Sequence, residues 1–199
     1  MSGVEAAIEA LRAGELAVIP TDTVYGLAAA GGSELAARAL YVAKGRDAIQ
    51  PTALLFASVD VLEEHVPDLP SRARAIARRL LPGPLTLVLP NPGRRFGWLN
   101  AERPEALGVR VPDLRGPGGA VLAALGVLAA TSANLPGGTD PRRPEDVPAE
   151  IRDAVAAVVD GGELPGTPST VVDLTRAEPA VLREGAMPAA DVLARLTDF

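Results

Sequence analysis

The chain has 199 residues, 48% of them hydrophobic and 22% charged, enough to bury a core and too apolar for wholesale disorder. It has no cysteine and a single histidine, His65, which excludes disulfides, thiolate chemistry and zinc sites built on several histidines. Nineteen basic residues against 25 acidic ones leave a net charge of −6, which counts against a primary role in gripping nucleic-acid phosphates.

In chain order, Met1 to Glu9 lacks a basic segment ahead of an apolar one, so no signal peptide is expected. No apolar run approaches the roughly 18–20 residues of a bilayer span, and a cytoplasmic protein with no membrane contact is expected. Val4, Ala7, Ile8 and Leu11 recur at helical spacing, with Gly14 as a stop. Leu16 to Pro20 reads as a short strand running into the polar turn Thr21-Asp22-Thr23. Ser33 is placed to cap a helix whose apolar face is predicted to hold Leu35, Ala39, Leu40 and Val42, ending at Gly45. Ala53 to Phe56 reads as a buried strand. Ser58 and Ser71 are expected N-caps of two more helices, the second carrying Arg72, Arg74, Arg78 and Arg79 outward. His65 closes the first of these two and is expected on the solvated surface.

After Pro82-Gly83-Pro84, strands are predicted at Leu85–Leu89 and Leu107–Val111, a helix from about Gly119 to Leu125, and a strand at Val127–Ala130. Further strands follow at Ala156–Val159, Thr170–Leu174 and Ala180–Leu182, and a last helix at Ala189–Leu196. The alternation predicts an α/β fold, and late strands without intervening helices predict a mixed sheet. Residues 91–105 and 135–148 read as long loops, more often functional than structural in a compact domain. Neither marks a boundary, so one domain over 1–199 is expected.

There is no Walker loop, Rossmann glycine fingerprint or protease triad. Polar clusters stand instead where apolar strands end: Thr21-Asp22-Thr23-Val24-Tyr25, Lys44-Gly45-Arg46, Thr131-Ser132-Ala133-Asn134, and Ser169-Thr170 with Arg183-Glu184-Gly185. Each alone reads equally as an ordinary turn or helix end. Because ligands in open α/β sheets bind outside strand ends, several such clusters together point to a site there. Lys44 is the only lysine beside 18 arginines. In that background it reads either as a chance surface survivor or as a residue needed for its compact ammonium, which arginine cannot copy.

Taken in order, Pro20-Thr-Asp-Thr-Val-Tyr-Gly-Leu27, Lys44-Gly-Arg46, Pro82-Gly-Pro-Leu-Thr86, Val109-Arg-Val-Pro112, Thr131-Ser-Ala-Asn134, Ser169-Thr-Val-Val-Asp173 and Arg183-Glu-Gly185 resemble the YrdC/Sua5 family of threonylcarbamoyl-AMP synthases, over about residues 5–196. The chain is similar to the short, single-domain form. The resemblance implies a YrdC-like twisted mixed β-sheet flanked by helices, with a large concave ligand site. It implies that L-threonine, bicarbonate or CO2, and ATP become threonylcarbamoyl-AMP and pyrophosphate, with Mg²⁺ carried by the ATP phosphates and no metal ligands from the protein. The product would pass to a tRNA threonylcarbamoyl-transferase complex for N6-threonylcarbamoyladenosine formation beside the anticodon, with direct tRNA binding weak or absent. Lys44, Arg46, Ser132 and Asn134 match the family's catalytic tetrad. Those four with Gln50 and Arg183 would bind ATP, and Thr23, Arg110 and Ser169 would bind threonine.

The sequence departs from the family's usual pattern after the cations. Asp47 follows Arg46, Gln50-Pro51-Thr52 replaces an Asn-Pro-Leu segment, and Leu55 stands where a histidine is common. Three other readings share the resemblance: a relative that activates carbamoyl phosphate, an RNA-binding or ribosome-maturation module, and a degenerate, non-catalytic relative suggested by Asp47 and Leu55.

Overall fold

The computed structural model describes residues 3–45 and 52–197. Within them, helix α1 (Gly3–Arg12) leads into strands β1 (Ala17–Pro20) and β2 (Tyr25–Ala30), helix α2 (Glu34–Ala43) and β3 (Ala53–Phe56). Helices α3 (Val59–His65) and α4 (Ser71–Leu80) precede β4 (Leu85–Pro90), β5 (Ala106–Arg110), α5 (Pro117–Leu125) and β6 (Val127–Ser132). Then come α6 (Ala149–Ala154), β7 (Ala157–Val158), β8 (Thr170–Asp173), β9 (Ala180–Arg183) and α7 (Ala189–Leu196). The strands form one mixed sheet in the order β7-β1-β2-β6-β3-β5-β4-β8-β9. The pairs β1–β7, β3–β5 and β4–β8 are parallel, the others antiparallel.

The two faces of this sheet are covered unequally. Leu54, Leu85, Leu87, Leu107, Val109 and Val172 point to one face and bury against Leu62 of α3, Ile76 and Leu80 of α4, and Val192 and Leu196 of α7. Further along the same face, Leu27 and Ala29 pack under Ala36 and Leu40 of α2 and Ile151 of α6. On the other face Ala17, Ile19, Ala28 and Leu128 meet Ala7 and Leu11 of α1 and Val121 and Leu122 of α5. Each fully buried Leu or Ile here contributes about 1.5–3 kcal/mol of transfer free energy. Gly118 is required where α5 crosses β1, because a Cβ there would stand 2.0 Å from the Pro20 carbonyl oxygen.

Several expectations need correction. The segment after Thr21-Asp22-Thr23 is a second strand, β2, buried along nearly its whole length and so without the alternation that marks a half-exposed strand. In α2 the buried residues are Ala36, Ala37, Leu40 and Tyr41, while Leu35 and Val42 are both 80% exposed. The reason is helical phase: Ala37 and Leu40 share a stripe with Lys44, and turning that stripe inward turns Leu35, Ala39 and Val42 out. Ser33 does cap α2, its side chain accepting from Ala36 N, and Ser58 caps α3 in the same way. Ser71 does not cap α4; Pro70 holds that position without a side-chain hydrogen bond. Helix α6 had no counterpart in the sequence reading. His65 is half-buried, its Nδ1 2.9 Å from the Val61 carbonyl and its ring tilted against Phe56 at 5.9 Å.

Candidate active site

The uncovered stretch of the second face is concave and holds a cavity of about 400 Å³. Its floor is read off the strand registers. Ala53 and Leu55 of β3, Gly108 and Arg110 of β5, Thr86 and Val88 of β4, Val171 of β8, and Ala130 and Ser132 of β6 alternate toward it, while the residues between them face the helices. Small side chains at Ala53, Gly108 and Ala130 keep the floor deep. The cavity thus takes in both the bare face of the sheet and the strand ends around it, where Arg110, Ser132 and Arg183 stand. Among the described residues no helix covers that face from β5 to β8, and loops form the walls.

Arg110, at the end of β5, is nearly buried. Its Nη2 donates to Asp22 Oδ1 at 2.5 Å and to Thr23 Oγ1 at 3.3 Å, with the Arg110 and Asp22 side chains only 11% and 9% exposed. Burial pushes the Arg110 guanidinium below its ordinary pKa, the Asp22 charge opposes this, and the nearby Arg183 charge adds to the lowering. Burial likewise raises the Asp22 carboxyl above its ordinary value despite the attraction of Arg110. Among the described residues Asp22 Oδ2 and Arg110 Nε have no hydrogen-bond partner. The turn that carries Asp22 is fixed by Thr21, whose Oγ1 donates to the Val24 carbonyl at 2.6 Å.

Ser169 enters from the opposite wall. Its Oγ is 2.7 Å from Thr86 Oγ1, and its carbonyl accepts from Arg183 Nη2 at 2.8 Å. Gly185 makes this approach possible, since a Cβ there would fall 2.1 Å from the Pro168 carbonyl oxygen. Its amide donates to Thr170 Oγ1 at 2.9 Å, tying the Arg183-Glu184-Gly185 segment to β8. The chain leading to Ser169 is anchored by Tyr25, whose hydroxyl donates to Gly162 O and accepts from Gly161 N.

Lys44, at the end of α2, is fully buried. Its Nζ donates to Ser132 O at 2.6 Å and to Asn134 Oδ1 at 2.8 Å. Ser132 Oγ donates to the same Asn134 oxygen at 2.7 Å, and Asn134 Nδ2 donates to Gly138 O at 2.6 Å. Two donors on one oxygen fix the amide's orientation. Gly45 lets the helix stop directly after the lysine, at a φ of +59°.

Of the residues singled out in the sequence, Thr23, Arg110, Ser132, Ser169 and Arg183 line this cavity, and Lys44 and Asn134 stand behind Ser132. Leu55, at the position where the family often has histidine, is part of the floor. Arg46, Asp47 and Gln50 lie outside the described residues. The sequence reading missed Asp22 as the partner of Arg110, and missed Thr52, Asn100, Glu102, Arg103 and Asp140 as wall residues. The last four come from the long loops 91–105 and 135–148, whose length was the available signal. Both loops are ordered, with 3-10 turns at Gly97–Leu99 and Pro144–Asp146. The arginines of α4 are engaged elsewhere: Arg78 with Asp60 and Glu63, Arg72 with the carbonyls of Arg176 and Ala177, and Arg79 with that of Arg195. Among the described residues no helix is long and apolar enough to cross a membrane.

The family model Sua5/YciO/YrdC, described as telomere recombination, matches residues 9–185. A threonylcarbamoyl-AMP synthase of Pyrococcus abyssi is 35% identical over 187 residues, covering 92% of this chain and 54% of that protein. A human protein of the same name is 35% identical over 178 residues, covering 85% of this chain and 62% of its own length. The crystal structure of P. abyssi Sua5 complexed with L-threonine superposes with a TM-score of 0.85 at 32% identity, over 98% of this chain and 58% of that one. The chain thus spans between half and two thirds of the length of these relatives.

Proposed function

The chain belongs to the Sua5/YciO/YrdC family, and from that premise we propose that it is a threonylcarbamoyl-AMP synthase, joining L-threonine, bicarbonate or CO2, and ATP. The observation that carries the proposal is the convergence of Thr23, Arg110, Ser169 and Arg183 on one cavity whose wall continues into the Lys44–Ser132–Asn134 network. ATP and bicarbonate are anionic and threonine is a zwitterion, and the arginines lining the cavity answer that charge.

The neutral amine of threonine adds to the carbon of CO2 with loss of a proton, or to that of bicarbonate with a C–O bond breaking and water leaving, to give an N-carboxylate. A carboxylate oxygen then forms a bond to the α-phosphorus of ATP as the bond to the leaving pyrophosphate breaks. No protein nucleophile is needed, so the residues act by alignment and by offsetting charge. Arg110, held on one edge by Asp22, presents its remaining donors to the threonine carboxylate, with Thr23 and Ser169 alongside. Arg183 reaches the nucleotide from the Ser169 wall, bringing the two reactants together at the Ser169–Arg183 contact. Lys44 fixes Ser132 and Asn134 as the phosphate-facing wall, and Arg46 and Gln50, outside the described residues, are assigned to ATP by the family match alone.

Among the described residues no group of three His, Asp or Glu side chains could hold a metal. The cavity does offer the carboxylates of Glu102 and Asp140. That suits Mg²⁺, which is held chiefly by substrate phosphates and water with one or two protein carboxylates. Bound there, it would neutralise phosphate charge. The product is proposed to pass to a tRNA threonylcarbamoyl-transferase complex in the cytoplasm. The internal pairing of the α4 arginines supports weak or absent direct tRNA binding.

The test is pyrophosphate release from ATP and bicarbonate with and without L-threonine. Threonine-dependent release is expected. Release with carbamoyl phosphate and not with threonine would assign the chain to carbamoyl activation instead.

A further inference from the structure

We propose that Arg103 is a further nucleotide-binding residue of the cavity, gripping the polyphosphate of ATP and the pyrophosphate it releases. The proposal rests on the synthase reading above and adds a residue that the family resemblance does not assign.

Ser169 precedes β8 and Thr175 follows it. Arg183 donates to the Ser169 carbonyl at 2.8 Å, and Arg103 Nη2 donates to Thr175 Oγ1 at 2.9 Å. Two arginines that line the same cavity are thus fastened at opposite ends of one strand. At about 3.3 Å per residue, β8 alone keeps their anchors roughly 13 Å apart. That separation is too large for one small anion such as a carboxylate to bridge. It suits an extended ligand charged along its length.

Arg103 has one short hydrogen bond and two longer ion pairs. Asp173, 1% exposed, lies 3.5 Å from Arg103 Nη1 and accepts from Thr175 N at 2.9 Å and Thr175 Oγ1 at 2.6 Å. Burial pushes the Asp173 carboxyl up, but the Thr175 hydrogen bonds and the Arg103 charge hold it below its ordinary value. The guanidinium carries five N–H donors. Among the described residues Nη2 is hydrogen-bonded to Thr175, while Nη1 and Nε face the Asp173 and Glu105 carboxylates as longer ion pairs at 3.5 and 3.7 Å. Nη1 and Nη2 each carry a second N–H, and these two are the donors that phosphate oxygens would take up.

A second observation at the same cavity points to a ligand. Thr52, 4% exposed, lines the cavity, and its hydroxyl has no hydrogen-bond partner among the described residues. Buried hydroxyls in proteins are almost always paired, so this one is a group that a ligand in the cavity could engage. Asn100 fixes the backbone between them. Its Nδ2 donates to Ala106 O at 3.2 Å, and its carbonyl accepts from Arg103 N at 3.0 Å.

The experiment is calorimetric titration of the whole chain and its Arg103→Ala and Arg103→Lys variants with Mg-ATP, inorganic pyrophosphate, AMP and L-threonine. Arg103→Ala is expected to weaken pyrophosphate and ATP about tenfold or more, the scale of a lost charge-assisted hydrogen bond, with AMP and threonine unchanged. Arg103→Lys is expected to recover part of the pyrophosphate affinity, since charge returns without the fork. The proposal is overturned if Arg103→Ala binds pyrophosphate as tightly as the parent, or loses AMP or threonine to the same extent. Threonine-dependent turnover is read separately. Pyrophosphate binding through Arg103 without turnover keeps this proposal and removes the synthase reading, whereas a parent protein that binds neither ATP nor pyrophosphate removes both.

Discussion

The Asp22–Arg110 pair makes the sharpest prediction, because truncating and neutralising Asp22 should give different results. Both side chains are about nine-tenths buried and meet at 2.5 Å. Asp22→Ala removes the acceptor and strands a guanidinium that burial already disfavours. Breaking a buried pair in this way costs about 3–5 kcal/mol. For a chain of this size, at about 2–4 °C per kcal/mol, the melting temperature should fall by roughly 6–20 °C. Asp22→Asn keeps an oxygen for Arg110 Nη2 and removes a carboxylate that burial has pushed above its ordinary value near 3.8. A raised folded-state value means that the stability linked to this group is full below the unfolded value and is lost as pH rises through the folded one. At neutral pH the parent bears that loss and the Asn variant does not. Asp22→Asn should therefore stay within about 1 kcal/mol of the parent, with a flatter stability–pH profile on its acid side, while its KM for threonine rises because Arg110 is less firmly held. Denaturant unfolding from pH 4 to 8 separates the cases. An Asn variant as unstable as the Ala variant would refute the reasoning, because the charge itself would then be what Arg110 requires.

Other expectations are simpler. Lys44→Ala should reduce threonine-dependent pyrophosphate release by about 10²-fold or more, the scale for losing one preorganised donor, and a variant within twofold of the parent would remove the lysine from the chemistry. Asp173→Asn should destabilise the fold by about 1–3 kcal/mol at neutral pH, as its hydrogen bonds from Thr175 and its Arg103 pairing weaken. Because the folded-state value of Asp173 is lowered, its stabilisation is present above the unfolded value and fades as pH falls through the folded one, so parent and variant should converge in acid. Ser33→Ala removes the cap on Ala36 N and should cost about 1 kcal/mol in urea unfolding without changing turnover.

The strands and helices with a strong local pattern were legible, and the failures have identifiable causes. The last helix, Ala189–Leu196, matches its sequence reading residue for residue. β2 escaped because Gly26-Leu-Ala-Ala-Ala30 is buried on both faces and carries neither alternation nor β-branched residues. In α2 two stripes were equally apolar by sequence, Leu35-Ala39-Val42 and Ala37-Leu40, and tertiary contacts choose between them: Leu40 and Tyr41 pack on β2, and Lys44 meets Ser132 and Asn134. The motif order brought out Arg110, Ser169 and Arg183, yet Asp22 sits 88 positions from its partner. Nothing local couples the two. The cavity floor was hidden for a similar reason, since the facing of Ala53, Gly108 and Ala130 depends on strand registers that are set only on pairing.

The site and the uneven helical cover of the sheet are one feature seen twice. A mixed sheet of this width has to bury both faces, and here α3, α4 and α7 cover one side of β3, β5, β4 and β8 while α1 and α5 stop short on the other. The bare stretch mixes small and polar residues, Ala53, Gly108, Thr86 and Ala130, with the apolar side chains of Leu55, Val88 and Val171, and its concavity limits how much of them meets water. Polar atoms facing that space then need partners, and the loops supply them from several directions, with Asp22 to Arg110, Thr86 to Ser169 and Asn134 to Lys44. The lone lysine fits this account. Its fully buried ammonium meets Ser132 O and Asn134 Oδ1 at 2.6 and 2.8 Å, in a space shaped for a compact donor. A planar guanidinium at the same point would push its fork into β6. A chain that carries 18 arginines has kept its one lysine at the position where arginine does not fit.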